Sequence, residues 1–319
     1  MFKNIIKQWE QFLISIKERI RRALQTTDIP YFIHYVAAYR TSHCLNNFAG
    51  NLAFVKEQYV RTAENDRQKL SDQFNAIIHN LVMPNGVKKT TYSMRQGSIL
   101  SAIFGEMSCR IPKEHIKVLD IPSSAGTASL NLYEVLTKHY KISSYVLGDL
   151  YFKIYYDRER ECIYDEEWNL LQKRFRKQFF SIYQPHGFAD VYHIAPQYLL
   201  LPFKFMSWYL TKKYKHTADT CAHPIMLLHP DVERRVSEGV FNIRKINVFE
   251  NIGEQYDLII SFNLLQRNYF PQAMIQKGVD NFKNALNENG LLIMGDTVSF
   301  SALMKKEGEL LQIMKNGDF

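Results

Sequence analysis

The sequence predicts an α/β protein built on a Rossmann-like, doubly wound sheet. A short apolar run at 116–120 is followed by a tight turn and a helical pattern, which indicates a buried parallel strand leading into a helix. A second apolar strand at 144–148 follows that helix, so the two strands form a βαβ unit with a right-handed crossover. Strands and helices alternate again towards the C-terminus, where two runs around Glu307-Gly308 predict a closing antiparallel hairpin.

The turn after the first strand carries the most informative residues. The strand ends on Asp120, small residues follow at 123–126, and the helix begins near Thr127. Small residues let a ligand lie against the backbone of the turn, and a helix N-terminus offers unpaired N–H groups. A carboxylate repels phosphate, so this turn suits a ligand with a cationic group or with hydroxyls. An ordinary strand–turn–helix without a ligand is the alternative from this segment alone.

The later α/β elements are predicted by the same reasoning. The second strand ends on Asp149. After a long insertion the pattern predicts a helix at 231–239, a strand at 241–248, a buried strand at 256–262, a helix at 272–287 and a strand at 291–295. We therefore expect a ligand site at the carboxyl ends of these strands, where open α/β sheets bind ligands.

The N-terminal 110 residues form a predicted helical region, and residues 111–319 form the main domain. Apolar residues between 2 and 24 recur at helical spacing with lysines and arginines between them. Further helices are predicted at 31–40, 45–64, 66–82 and 98–109. The first helix is expected to pack on the rest of the domain; the alternative is that it lies on a membrane surface.

An insertion at 150–223 separates the second strand from the rest of the α/β pattern. It begins with a predicted hairpin, 152–156 and 161–164, continues with a predicted helix at 168–180, and contains the aromatic run at 196–210. The main sheet is expected to resume with Pro224–Leu228. Long insertions are often lids or substrate-binding subdomains. The aromatic residues could line an apolar pocket, contact a membrane surface or form a small core of their own.

Composition narrows the setting of the protein. The 319 residues carry a net charge of +8, which favours acidic partners, but without a long block of like charge nucleic acid is disfavoured. Four cysteines lie far apart and form no C-x-x-C pair, so we expect a cytoplasmic protein without disulfides or a zinc site. No secretory signal is visible, and the most apolar long segment, 191–210, contains polar residues and two prolines, which argues against a transmembrane helix.

Polar side chains end several of the predicted parallel strands. Asp120, Asp149 and Asn263 follow three of them, and Asn247 and Phe249 lie at the end of a fourth. The carboxyl ends of parallel strands share one edge of the sheet, so these residues are expected to lie together. An acid after the second strand suits a ribose, and an amide with an aromatic ring suits an adenine.

Five segments in this order resemble the class I S-adenosylmethionine-dependent methyltransferases. They are VLDIPSSAG (118–126), YVLGD (145–149), KINVF (245–249), YDLIISFNLL (256–265) and NGLLIMGD (289–296). The resemblance implies S-adenosylmethionine as the cofactor. It places Asp120, Ser123 and Gly126 beside the methionine part, Asp149 at the ribose, Asn247 and Phe249 at the adenine, and Asn263 beside the sulfonium.

The chain departs from the family at two of these positions. Gly126 is the only glycine left of the usual GxGxG turn, and Asn247 stands where the family often has Asp. The missing glycines also disfavour a nicotinamide dehydrogenase, whose pyrophosphate turn needs them.

A narrower similarity is to the chemotaxis-receptor glutamate methyltransferases. It rests on the helical N-terminal region, on TYSMR (91–95) before the first strand and on NLLQRNYF (263–270). This resemblance implies that Arg95 pairs with the carboxylate of the cofactor. Thr127-Ala128 replaces the acidic pair that follows the turn glycine in that family, so its substrate is not carried over.

The sequence leaves the catalytic residues and the acceptor open. A general base helps when the methyl acceptor is a hydroxyl or an amine, and Tyr269, His229, His186 and His193 are candidates by position, although such residues are more often packed or on the surface. We expect a methyltransferase that acts on a small molecule or a protein and needs no metal. The insertion and the N-terminal helices would form the acceptor pocket.

Two other functions remain alternatives at this stage. The reduced glycine motif favours a catalytically inactive cofactor-binding or regulatory protein on the same fold. The basic charge and the aromatic residues suggest an RNA methyltransferase, but Ser-Phe-Asn-Leu at 261–264 replaces the N/D-P-P-Y/F signature common among base methylases.

Overall fold

The computed structural model describes residues 48–79, 89, 114–175, 178–181, 205–206, 208–215, 221–266, 270–296 and 299–316. The helices are α1 (Phe48–Arg61), α2 (Gln68–His79), α3 (Thr127–Leu136), α4 (Pro230–Ser237) and α5 (Gln272–Ala285). The strands are β1 (Ile116–Asp120), β2 (Ile142–Asp149), β3 (Lys153–Asp157), β4 (Cys162–Tyr164), β5 (Leu170–Phe175), β6 (Gln178–Ser181), β7 (Ala222–Met226), β8 (Asn242–Lys245), β9 (Tyr256–Phe262), β10 (Leu286–Gly295), β11 (Phe300–Lys306) and β12 (Glu309–Asn316).

Seven strands form the main sheet in the order β12-β11-β10-β9-β1-β2-β8. The five strands β10, β9, β1, β2 and β8 are parallel, whereas β11 runs antiparallel to β10 and β12 runs antiparallel to β11. The chain proceeds outward from β1 to β2 and β8, then returns to the other side of β1 to form β9. This reversal between β1 and β9 is the switch point of a doubly wound sheet. The predicted Rossmann-like fold with an antiparallel C-terminal hairpin is confirmed.

Apolar side chains on both faces of the central strands explain why they form the middle of the sheet. Val118, Leu147 and Ile260 face one layer, where they pack with residues of α3 and α4. Leu119 and Ile259 alternate with them and face the other layer, where they pack with α5. Strands buried on both faces are typical of parallel sheets covered by helices.

A second sheet follows β2, with the order β6-β5-β4-β3-β7 and antiparallel pairing throughout. The predicted hairpin at 152–156 and 161–164 is confirmed as β3 and β4. The helix predicted at 168–180 is wrong, because β5 and β6 occupy that segment. Pro224 was expected to begin a strand of the main sheet, but β7 is an edge strand of the second sheet. A proline lacks the N–H that a central strand must donate, so the edge is where it fits.

Several predicted boundaries also differ from the structure. The strand predicted at 241–248 is shorter, since β8 covers only Asn242–Lys245. The predicted break between helix and strand at 287–291 is absent, because β10 begins at Leu286, directly after α5, with an irregularity in pairing before Leu291. The helices predicted at 45–64 and 66–82 correspond to α1 and α2, whereas the first predicted helix lies outside the described residues. The domain boundary at 110 and the insertion limits at 150–223 stay predictions.

Helices α1 and α2 cover the turn after β1 from one side. Leu52 and Phe74 share a core with Ile154 and Leu227 of the second-sheet region and with Ala125 of the turn. Polar contacts reinforce this packing: Lys56 forms an ion pair with Glu233, and the Tyr59 hydroxyl donates to Asp231 Oδ2 at 2.5 Å. Over the described portion of the chain, no helix has the length and apolar character needed to cross a membrane.

Candidate functional site

Asp120 and Asp149 project from neighbouring strands towards the same side of the main sheet. Side chains alternate between the two faces along a strand. Asp120 therefore lies on the same face as Val118, and Asp149 on the same face as Leu147, which pairs with Asp120 in the register of β1 and β2. Both acids thus stand at the carboxyl edge, beside the switch point, as the sequence predicts.

Asp149 is held by several hydrogen-bond donors. Its Oδ2 accepts from the Ser124 amide at 2.8 Å, and its Oδ1 accepts from the Tyr151 amide at 3.1 Å. Lys89 Nζ lies 3.2 Å from the same Oδ1, and both side chains of this ion pair are buried. Asp149 therefore ties the turn after β1 to the end of β2. Sequence reasoning missed Lys89, which lies far from Asp149 along the chain and belongs to no recognisable motif.

Asp120 is buried without a cationic partner among the described residues. The Tyr145 hydroxyl donates to its Oδ2 at 3.2 Å. Burial raises the pKa of Asp120 to about 6; the hydroxyls of Ser129 and Tyr145 lower this pKa, and the charge of Asp149 raises it. At neutral pH this carboxylate is ionised in a place that disfavours charge, and a cationic ligand would relieve that cost.

Two hydroxyls in the turn lack a hydrogen-bond partner. Ser123 Oγ and Ser124 Oγ are buried and meet no donor or acceptor within the described structure. A buried polar atom without a partner costs on the order of 1–3 kcal/mol, so such atoms often mark the position of a ligand or a water molecule. The same is true of Ser261 Oγ near the end of β9. The carboxyl edge therefore combines two acids with several hydroxyls that have unmet hydrogen-bonding capacity.

Gly126 is required by the packing of the turn. Its φ is +76°, a left-handed conformation, and a Cβ at this position would lie 2.8 Å from Val232 Cγ1 of α4. Glycine thus permits both the backbone shape and the close approach of α4. The role implied by the resemblance, contact with the methionine part of a cofactor, stays a prediction, and α4 already occupies one side of this residue.

His229 caps α4. Its Nδ1 accepts from the Asp231 amide at 3.3 Å, so in the neutral ring the proton is on Nε2, which lies 3.1 Å from Ser71 Oγ. The rings of Tyr59 and Phe74 meet it edge-on. Burial lowers the pKa of His229 to about 4, against an opposing effect of Asp231; Lys56 lowers it further. A histidine with both nitrogens engaged is poorly placed to act as a general base, which disfavours that candidate.

The residues expected at the adenine lie at the carboxyl edge next to β8. Asn247 Oδ1 accepts from the Phe249 amide at 3.1 Å, and its Nδ2 donates to Glu250 at 2.7 Å. The ring of Phe249 meets that of Phe270 edge-on, with centroids 4.9 Å apart. This amide therefore stabilises a local turn, and a ligand would have to compete for it.

Asn263 directly follows β9 in a left-handed conformation, with φ of 59°. Its backbone N–H donates to the Gly295 carbonyl at 2.8 Å, and its side-chain Oδ1 accepts from Gln266 Nε2 at 3.1 Å. It lies at the predicted edge of the sheet. Arg95, Tyr269, His186 and His193 lie outside the described residues, so their predicted roles stay predictions.

Comparison with solved structures finds weak similarities, three of which are described here. No family model and no curated protein matches the chain. The N-methyltransferase NodS from Bradyrhizobium japonicum WM9, in complex with S-adenosyl-L-homocysteine, is 12% identical with a TM-score of 0.28, over 75% of this chain and 71% of that one. An S-adenosylmethionine-dependent methyltransferase from Clostridium acetobutylicum is 11% identical with a TM-score of 0.32, over 71% and 73%. An O-methyltransferase family protein from Burkholderia thailandensis is 11% identical with a TM-score of 0.31, over 84% and 55%.

All three of these similar structures are methyltransferases. TM-scores this low do not assign a function to the chain. Among the residues that the structure describes, no three His, Cys, Asp or Glu side chains are grouped so that they could hold a metal ion. That a metal is not needed stays a prediction.

Proposed function

We propose that this protein binds S-adenosylmethionine at the carboxyl edge of its main sheet and transfers the methyl group to a small molecule or a protein. The observation that supports this most is the pair of carboxylates on one face of adjacent strands, Asp120 and Asp149. The cofactor supplies a methyl group bound to a positively charged sulfur. The proposal also rests on the five segments that resemble this family. The cofactor, the enzyme class and the acceptor are all parts of the proposal.

The polar groups at this edge fit the chemistry of the cofactor. An ammonium beside Asp120 would neutralise a buried carboxylate that has no cationic partner of its own in the described structure. Asp149 is an acceptor for ribose hydroxyls, and the hydroxyls of Ser123 and Ser124 need partners. A phosphate-containing cofactor fits less well, because the Asp120 carboxylate, which has no cationic partner among the described residues, would repel it.

The acceptor would approach from the side covered by the second sheet and by α1 and α2. Methyl transfer is an in-line displacement, so holding the acceptor in the correct position contributes much of the rate. Since His229 is engaged as a helix cap, Tyr269 is the stronger candidate for a general base where the acceptor is a hydroxyl or an amine.

A second candidate function is cofactor binding without turnover, as in a regulatory protein on the same fold. The ion pair between Lys89 and Asp149 favours it, because ribose hydroxyls would have to share Asp149 with a buried lysine. Methyl transfer from labelled cofactor to any member of a broad acceptor panel would exclude this candidate. Cofactor binding with no transfer to any acceptor would favour it.

Calorimetric titration with S-adenosylhomocysteine, the demethylated product, tests the binding half of the proposal. We expect wild-type protein to bind and Ser123→Ala to bind several-fold more weakly, because this variant removes only a hydroxyl that has no partner within the described residues. Ser237→Ala, at an exposed position of α4, should bind as wild type does. Absence of binding by wild-type protein at about 1 mM ligand, which corresponds to roughly −4 kcal/mol, would contradict the proposal.

A further inference from the structure

A short helix on the outer face of the second sheet directs large apolar side chains towards solvent. Residues 205–206 and 208–213 are helical; we call these residues, together with Tyr214 and Lys215 that follow them, the aromatic helix. The exposed fractions of its apolar side chains are 66% for Phe205, 44% for Met206, 57% for Trp208 and 46% for Tyr209. Contiguous exposed apolar side chains of this size are characteristic of a binding surface.

The orientation of the aromatic helix is fixed by its inner side. Leu210 is buried in a cluster with Tyr164 and Leu170 of the second sheet, and Tyr214 packs against that cluster. The Tyr164 hydroxyl also donates to the Tyr214 carbonyl at 3.0 Å. Since the α-helix repeats about every 3.6 residues, Leu210 and Tyr214 share one side, whereas Phe205, Trp208 and Tyr209 are exposed. The exposed rings are therefore presented by an anchored helix.

Lysines lie among these rings. Lys212 Nζ is 5.3 Å from the centroid of the Trp208 ring, and Lys213 Nζ is 5.6 Å from that of the Tyr209 ring. Lys215 is also exposed, and residues 205–215 contain no acidic side chain. The surface thus combines apolar and aromatic groups with positive charge, in a chain whose net charge is +8.

We propose that the aromatic helix docks the protein on an anionic phospholipid membrane surface. Aromatic side chains favour the boundary between lipid head groups and acyl chains, and nearby lysines are attracted to anionic head groups. Single-stranded nucleic acid fits less well, because its bases stack on open ring faces. Here the lysine amino groups lie over the Trp208 and Tyr209 rings, and Met206 offers apolar surface without a stacking face.

Co-sedimentation of the full chain with vesicles tests this proposal. We expect binding to vesicles of phosphatidylcholine and phosphatidylserine at a ratio of about 7:3, and much weaker binding to phosphatidylcholine alone. Phe205→Ser/Trp208→Ser should weaken binding on the order of tenfold through loss of apolar contact. Lys212→Gln/Lys213→Gln should weaken it by about 25-fold, since each lysine contributes about fivefold.

Matched variants elsewhere on the surface serve as controls. Val60→Ser/Leu311→Ser removes two other exposed apolar side chains, and Lys138→Gln/Lys277→Gln removes two other exposed lysines. Both double variants should bind vesicles as wild type does. All variants should retain the wild-type melting temperature and the wild-type affinity for S-adenosylhomocysteine, so failure of membrane docking is distinguishable from failure of the proposed function.

Quenching by brominated acyl chains distinguishes insertion from adsorption by charge alone. We expect wild-type tryptophan fluorescence to be quenched on binding, and Trp208→Phe to lose most of that quenching while it still binds. Equal vesicle binding by wild type and both aromatic-helix double variants would overturn the proposal. A second result would also overturn it: wild type does not bind vesicles, and the double variants instead lose self-association, measured by sedimentation velocity, or binding to single-stranded RNA.

Discussion

β1 and β2 each end on an aspartate, and the two aspartates lie on the same face of the sheet. Their hydrogen-bond and ion-pair partners differ. Asp149 accepts two backbone N–H bonds and pairs with the buried Lys89. Asp120 accepts a hydrogen bond from the Tyr145 hydroxyl, and burial raises its pKa to about 6. One carboxylate therefore helps to build the turn, while the other is kept charged at the expense of stability. We infer that Asp120 is the acid whose charge is available for a ligand.

The largest expected effect is on the acid that is paired. Asp149→Asn leaves Lys89 buried without its counter-charge, which should lower the free energy of unfolding by about 3–5 kcal/mol. Chemical denaturation at pH 7.5 measures this, with Glu134→Gln, an exposed acid on α3, as the control. Lys89→Met in the Asp149→Asn background should recover part of the loss. Equal stability of Asp149→Asn and Glu134→Gln would mean that the ion pair does not hold the turn.

The next effect concerns the turn that lies between the two acids. Gly126→Ala forces a Cβ into a left-handed residue and against Val232, so we expect a loss of about 3 kcal/mol. Gly239→Ala is the matched control, because Gly239 has φ of +73° and open space around it. It should cost only about 1–2 kcal/mol. Equal losses for the two variants would show that packing against α4 does not shape the turn; partial rescue by Val232→Ala would show that it does.

The smallest effect has the opposite sign and falls on the unpaired acid. With a pKa near 6 when folded and an ordinary value of 3.8, Asp120 binds protons more tightly in the folded protein, so its contribution to stability is lost as pH rises from about 4 to 6. Asp120→Asn should therefore raise the free energy of unfolding by up to about 3 kcal/mol at pH 7.5 relative to wild type. Near pH 4 this difference should vanish.

Denaturation curves of both proteins across this pH range measure the difference. His229, whose pKa is lowered to about 4, opposes the trend because its contribution is lost as pH falls from 6.5. It is present in both proteins and cancels in the comparison. A difference that does not change with pH would mean that burial of Asp120 is not costly.

The sequence predicted the strands that carry the candidate site better than it predicted the second sheet. Strong apolar runs that end on Asp120 and Asp149 predicted the correct strands and the correct edge of the sheet, because β1 and β2 are largely buried and the local pattern reflects that burial. The helix predicted at 168–180 was wrong, and Leu170 and Leu171 show why. These neighbours face opposite cores of the second sheet, so β5 shows no alternation and resembles a helix.

Contacts between distant segments could not be predicted at all. Lys89 reaches Asp149 through tertiary packing, and no local pattern in the sequence marks it. The contacts that the His229 ring makes with Ser71, Tyr59 and Phe74 likewise depend on tertiary packing with α1 and α2. Pro224 did carry a usable signal, since a proline within a strand indicates an edge position.

The pH dependence of S-adenosylhomocysteine affinity tests most directly whether the Asp120 carboxylate meets the ammonium of the ligand. Wild-type affinity should fall by about tenfold between pH 7.5 and 5, because protonation of a group with a pKa near 6 removes the charge. Asp120→Asn should bind weakly, with little change over the same range. Equal affinity and equal pH dependence of the two proteins would contradict this account.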